Sequence, residues 1–217
     1  MPADQAAGLR RRRRGLAPLC IQCVGDTADG LLRVARACHR GGRSPLVVDT
    51  CGRLFAGDAP RTLFDWPRQI GQGRLLTLPL DAATGWLAPG VRADAPGLSD
   101  AVRAYDTLIF DSSPHAAAAR LPGARQILWL AVRPDTLHEI YALLKTHAAA
   151  GPFDAILSGD STACARVKAA CARYLGATPA GAVASIPDED DAIAALAARM
   201  TGEEWGLPPE YIKPGNT

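Results

Sequence analysis

Tyr105-Asp106-Thr107-Leu108-Ile109-Phe110-Asp111 decides how this chain is read. Thr107 to Phe110 is strongly apolar and β-prone, and the run stops at a carboxylate. A strand of this kind has no polar face, so both of its faces must be covered. The same pattern recurs on either side. Leu19–Val24 reads as a buried strand, Pro45–Val48 as another ending in Asp49, and Leu75–Leu78 as a short one. Ile127–Val132, Ala155–Leu157 and Ala182–Ser185 continue the series. Between them lie stretches of helical period. Gly30–Arg40 carries Leu31, Val34, Ala35 and Cys38 on one side and stops at Gly41-Gly42. Leu98–Tyr105, Asp135–Ala148, Thr162–Tyr174 and Asp191–Met200 are the other predicted helices, with Leu137, Ile140, Tyr141 and Leu144 on one side of the second of these. Strands alternating with helices imply right-handed crossovers. The expected fold class is α/β, a mainly parallel sheet with helices on both faces.

Three segments depart from this rhythm. Residues 1–15 form a polar, basic arm closed by Gly15, with five consecutive arginines, Arg10 to Arg14. Gly52 to Gly90 contains Pro60, Pro67, Pro79 and Pro89 and reads as loops with short helical turns. Residues 201–217 contain Pro208, Pro209 and Pro214 and read as an extended tail. The expected organisation is therefore an arm (1–15), an α/β domain (16–200) and a tail (201–217). The 217-residue length suits one such domain.

Net charge is only +2, which argues against nucleic-acid binding. The arginine run reads as a solvated arm, or as a contact for an acidic partner or anionic lipid. No stretch approaches the ~20 apolar residues of a membrane span. Six scattered cysteines, Cys20, Cys23, Cys38, Cys51, Cys164 and Cys171, read as reduced, buried thiols of a cytoplasmic protein. Cys20-x-x-Cys23 has redox or zinc spacing but lies inside a strand with no second pair, so it reads as core packing. His39, His115, His138 and His147 are dispersed and suggest no metal site. Ser112-Ser113 lacks the glycines of a nucleophile elbow. Trp66, Trp86, Trp129 and Trp205 read as packing residues.

The order of elements resembles the MinD/ParA group of deviant P-loop ATPases, and the FlhG flagellar regulators within it. His39 to Asp49 is similar to that family's helix end and second strand. Tyr105 to Asp111 resembles its Walker B strand. Ile127–Pro134 with Asp135–Ile140 resembles the strand and helix that follow, and Gly181–Pro187 the strand near the end. The beginning of the chain adds Asp4-Gln5-Ala6-Ala7-Gly8-Leu9-Arg10, which resembles the D-Q-A-x-x-L-R activator motif of FlhG. The resemblance implies a MinD/ParA-like P-loop NTPase fold.

The sequence departs from the family at the nucleotide loop. Where the family has G-K-G-G-V-G-K-T, this chain has about Cys23-Val24-Gly25-Asp26-Thr27-Ala28-Asp29-Gly30. A phosphate loop needs inward backbone N–H groups, a lysine for the β and γ phosphates, and a hydroxyl for Mg²⁺. The only lysines are Lys145, Lys168 and Lys213, far downstream. Asp26 and Asp29 set negative charge against the phosphates instead. Like charges ~4 Å apart cost on the order of several kcal/mol at intermediate dielectric. The helix dipole offsets about 1 kcal/mol. Repulsion wins, so the expected site is degenerate: Gly25, Asp26, Asp29, Gly30, Asp49 and Asp111, with no working P-loop. No cofactor is expected, and ATP with Mg²⁺ enters only if this loop still binds it. The family's ATP-driven dimer needs a lysine near Val24, so a monomer is expected. The helix with Ile193, Leu196, Ala197 and Met200 lacks the bulk and basic face of a membrane-targeting helix and is expected to pack on the sheet.

The remaining active part is the arm. By resemblance, Asp4, Gln5, Ala6, Leu9 and Arg10 bind an FlhF-type GTPase and stimulate its GTP hydrolysis. Asp4 can cap the short helix. Gln5 both donates and accepts, as a water-positioning group must. Leu9 anchors the apolar face, and Arg10 forms charge-assisted bonds. The expectation is a pseudo-ATPase with no catalytic residue in cis and no metal. It would influence flagellar number and placement from the cytoplasm, with recruitment to the membrane or cell pole through its partner. Other flagellar basal-body proteins are further expected partners. The alternative is a nucleotide-independent scaffold or adaptor that uses the MinD-like surface and a basic tether.

Overall fold

The computed structural model describes residues 19–25, 28–43, 45–49, 76–79, 105–114, 117, 119–121 and 123–200. In chain order the elements are β1 (Leu19–Val24), α1 (Ala28–Arg40), β2 (Pro45–Asp49), β3 (Leu76–Pro79) and β4 (Thr107–Ser112). Then come β5 (Arg125–Val132), α2 (Leu137–Ala150), β6 (Asp154–Gly159), α3 (Ser161–Tyr174), α4 (Ala177–Gly181), β7 (Val183–Ser185) and α5 (Asp190–Met200). The strands form one sheet in the order β3-β2-β4-β1-β5-β6-β7, and every pairing is parallel. This is the expected α/β class.

Strand alternation sends side chains to two helical layers. Ile21, Cys23, Val47, Ile109, Ile127, Trp129 and Ile156 pack with Leu31, Val34, Ala35 and Cys38 of α1 and with Ile193, Leu196, Ala197 and Met200 of α5. Val24, Leu128, Leu130, Val132, Ala155 and Leu157 pack with Ile140, Leu143 and Leu144 of α2 and with Ala163, Cys164, Val167 and Cys171 of α3. Hence α5 packs on the sheet, as its stripe predicts. The stripe of α2 is shifted: Leu143 and His147 are buried, whereas Leu137 and Tyr141 are only partly so. The predicted helix over 98–105 lies outside the described residues except at Tyr105, which is not helical. No helix among the described residues is long and apolar enough to cross a membrane.

Local chemistry sets several boundaries. Asp160 caps α3 by accepting from the backbone N–H of Ala163 at 2.7 Å. The preceding Gly159 has φ +114°, and a Cβ there would lie 2.5 Å from the Val132 carbonyl. Asp160 N–H donates to that same carbonyl at 3.0 Å, so the ends of β5 and β6 are pinned together. Arg33 of α1 bonds to Asp190 at 2.6 Å and Asp188 at 3.0 Å, tying α1 to the start of α5. Both pairs are exposed enough that each contributes only tenths of a kcal/mol to about 1.

At the other end of α2, Arg120 Nη1 donates to the Pro152 carbonyl at 2.8 Å, and Nη2 to those of Gly151 and His147 at 3.0 and 3.1 Å. These are carbonyls of the last turn and its exit, left over by the helix. His147 itself is buried, and its Nε2 bonds to the Ala117 carbonyl at 2.8 Å. A carbonyl only accepts, so Nε2 carries the proton. Nδ1 is buried without a partner, and the ring is neutral.

Two outcomes follow from these contacts. Gly159→Ala is expected to lower stability by about 2 kcal/mol or more, because the backbone is left-handed and the Cβ site is filled. Gly123→Ala, at φ +71° with open space around the Cβ, is expected to cost about 1 kcal/mol. Denaturant midpoints for the two variants check the contrast. Burial holds His147 below its ordinary value of 6.5. The unfolded chain therefore binds this proton first, so stability falls as pH drops below about 6.5. Urea unfolding at about pH 5 and pH 7 should show this loss, and it should shrink in His147→Asn.

Candidate functional site at the carboxyl edge of the sheet

β1 is flanked by β4 and β5 in one register row after another: Cys23 faces Asp111 on one side and Trp129 on the other. From β1 the chain passes to α1 on one face and on to β2. From β5 it passes to α2 on the opposite face and on to β6. Adjacent strands whose connections part in this way leave a crevice outside their carboxyl ends.

The edge of this crevice is built from five strand ends. Gly25 follows β1 with φ +74°, and a Cβ there would come within 3.2 Å of the Ala131 carbonyl. Asp111 is fully buried in β4 and stands in register with Asp49, the last residue of β2. Ser112 pairs with Val24 and donates to Gln22 Oε1; Gln22 in turn donates from Nε2 to the Ala119 carbonyl at 3.3 Å. Beyond β5, the Arg133 N–H donates to Thr136 Oγ1 at 3.0 Å, and Arg133 Nε faces Asp135 at 3.5 Å. Gly159 and Asp160 close the row after β6.

The sequence-predicted residues fall as follows. Gly25, Asp49 and Asp111 share this edge. Only three positions, Gly25, Asp26 and Thr27, separate β1 from α1. Asp29 and Gly30 occupy the second and third positions of α1. Asp26 lies outside the described residues, as do Asp4, Gln5, Ala6, Leu9 and Arg10 of the arm. Lys145 lies in the body of α2 and Lys168 in that of α3, away from the β1–α1 turn. Lys213 is outside the described residues.

The cysteines carry no site chemistry. Cys20, Cys23, Cys38, Cys164 and Cys171 are buried thiols outside any disulfide; Cys51 is outside the described residues. Burial pushes Cys20 and Cys38 up to about 12, and Cys164 and Cys171 to about 11. Thiols held so high are unreactive at neutral pH. Among the described residues no cluster of His, Cys, Asp or Glu could hold a metal ion. Sequence reasoning missed Gln22 and Ser112. The signal was present, because Gln22 is the one amide in an otherwise apolar strand, and a buried amide demands partners.

No protein-family model matches the chain, and no curated protein matches it. Among solved structures, HypB from Helicobacter pylori in complex with nickel is similar over 90% of this chain and 91% of that chain, with TM-score 0.47 and 11% identity.

The acidic, lysine-free turn after β1 sets an expectation for nucleotide. Titration of MgATP into the protein is expected to give no saturable heat up to about 1 mM, a limit of roughly −4 kcal/mol in binding free energy. Saturation in the micromolar range would show that the edge still binds phosphate.

Proposed function

We propose that this chain is an FlhG-like flagellar regulator of the MinD/ParA type: a pseudo-ATPase that stimulates an FlhF-type GTPase through its N-terminal arm. One observation carries the first half of the reading. The turn between β1 and α1 has only three positions, Gly25, Asp26 and Thr27, and no lysine, and Asp29 follows it in α1. A turn of this composition lacks the cation that a triphosphate needs and adds carboxylate charge instead. The resemblance of residues 4–10 to the D-Q-A-x-x-L-R motif carries the second half.

The topology is compatible with an arm that works apart from the degenerate edge. β1 begins at Leu19, whose N–H donates to the Asp106 carbonyl at 3.0 Å. Leu19 and Gly25 lie at opposite ends of β1, roughly 20 Å apart at a strand's rise per residue. The arm therefore joins the domain at the amino edge and needs nothing from the crevice. In a partner's site, Gln5 orients the attacking water, Asp4 caps the activating helix, and Leu9 and Arg10 fix its position. GTP hydrolysis is limited by water positioning and charge stabilisation, which a group in trans can supply.

The test is GTP turnover by the cognate FlhF-type GTPase, alone, with this protein, and with Gln5→Ala. Stimulation is expected, falling at least about tenfold in the variant, or ~1.4 kcal/mol in barrier. An active GTPase left unstimulated by the wild-type chain would refute the activator reading. Partner or lipid binding that falls with salt and ignores Gln5→Ala would instead favour an adaptor with a basic tether.

A further inference from the structure

The layer of α2 and α3 carries an aromatic pair at its surface. Tyr174 ends α3 and is 64% exposed, the one exposed large hydrophobic side chain among the described residues. Its ring meets that of Tyr141 of α2 edge-on, at 6.4 Å between centroids and 75° between planes. The Arg173 guanidinium lies over the Tyr174 ring at 5.2 Å. Such a contact contributes about 0.5–1 kcal/mol at an exposed site and holds the guanidinium in place. Tyr and Arg are among the residues most enriched at interface anchors, where a rigid ring and a planar cation meet a partner together.

Charge around the pair is of one sign. Arg166 and Arg173 share one stripe of α3, two turns and about 10 Å apart. Lys145 follows Tyr141 by four residues and stands on the same side of α2. All three cations are exposed, and among the described residues none of them shares an ion pair. α3 itself has no acidic residue, and Asp160 before it is spent on the cap at the far end from Tyr174. The one acid of α2, Glu139, lies two residues before Tyr141 and does not face with it. Ala165, Ala169 and Ala172 are exposed near the two arginines, so nothing bulky holds a partner's backbone away. On the other layer, by contrast, Arg33 is already satisfied by Asp188 and Asp190.

Charge and shape select among partners. A membrane surface calls for a bulky apolar face, and this one has a single exposed ring. A nucleic acid stacks its bases on open aromatic faces, whereas Tyr174 is taken up by Arg173 and Tyr141. Carboxylates suit what remains. Each arginine offers a planar fork, and a spacing of about 10 Å matches residues seven apart on a helix or three apart on an extended chain.

We propose that this surface of α2 and α3 docks an acidic segment of a partner protein, with one carboxylate on Arg166, a second on Arg173, and an apolar side chain against Tyr174. Lys145 adds attraction at the rim. The surface uses no residue of the arm or of the crevice, so the proposal does not rest on the activator reading.

The test uses the full chain and a phage-displayed library of random peptides of roughly 12 residues, long enough for either spacing. Selection on the wild type is expected to enrich peptides with paired acidic residues at one of these spacings and a large apolar residue beside one of them. Fluorescein-labelled copies of these peptides should bind Arg166→Glu/Arg173→Glu at least about tenfold more weakly by anisotropy, and Tyr174→Ala at least about threefold more weakly. Arg166→Gln/Arg173→Gln should show an intermediate loss, and about 0.5 M salt should weaken wild-type binding. The replaced side chains are exposed, so the urea midpoints of the variants should match the wild type. Selected peptides that bind the charge-reversed variant as tightly as the wild type, held by Arg10 to Arg14 or elsewhere, would overturn the proposal. So would a selection without an acidic motif. Binding of a single-stranded oligonucleotide or of phosphatidylserine vesicles that the charge reversal abolishes, with no peptide bound, would overturn it in favour of another class of ligand.

Discussion

The parallel pairing of β1 between β4 and β5 is the constraint on which the rest depends. β1 is buried along its whole length, with backbone partners on both sides and a helical layer on each face. A strand in this position has no freedom of register. Sliding it by one residue would exchange Ile21 and Cys23 for Gln22 and Val24 against α1, burying an amide among apolar side chains. Its start fixes where the arm enters, and its end fixes the crevice. The two ends are therefore separated by the length of the strand and by the rigidity of the sheet. The Gln22–Ser112–Ala119 contacts add a polar lock between β1, β4 and the segment that follows β4.

Much of this was legible in the sequence because parallel strands buried on both faces leave unbroken apolar runs. Thr107–Phe110, Leu19–Val24 and Ile127–Val132 all announce themselves this way. The helices were legible from their period, with ends displaced by a residue or two where caps decide: Asp160 rather than an apolar residue sets the start of α3. α4 was missed because five residues cannot show a helical period and none of them is buried. Leu143 and His147 were missed for a different reason. The buried face of α2 turns toward the segment after β4, a tertiary neighbour that no local pattern reveals. Asp49 and Asp111 could be marked as strand ends, but their adjacency comes from β2 pairing with β4 across a long stretch of chain. Arg120 had no signal at all, since only the fold brings a loop arginine under the end of α2.

The two edges of the sheet differ in character. The carboxyl edge gathers Gly25, Asp49, Asp111 and Asp160 and is geometrically tight, with Gly25 and Gly159 crowded against carbonyls of β5. The amino edge gathers Arg43 and Arg120, which bond mainly to backbone carbonyls, and Arg125, which pairs with Asp154. The two edges are not of one charge each, since Arg133 sits at the crevice and Asp154 neutralises Arg125 at the amino edge.

The buried thiols have a use that no reaction at a site would suggest. Cys23 and Cys38 belong to the layer of α1 and α5, and Cys164 and Cys171 to that of α2 and α3. Each is silent while its layer is closed and becomes an ordinary nucleophile once water reaches it. The protein thus carries a built-in clock for breathing motions. The order in which alkylating reagents modify the two pairs reports which side of the sheet opens first, with no substitution in the chain.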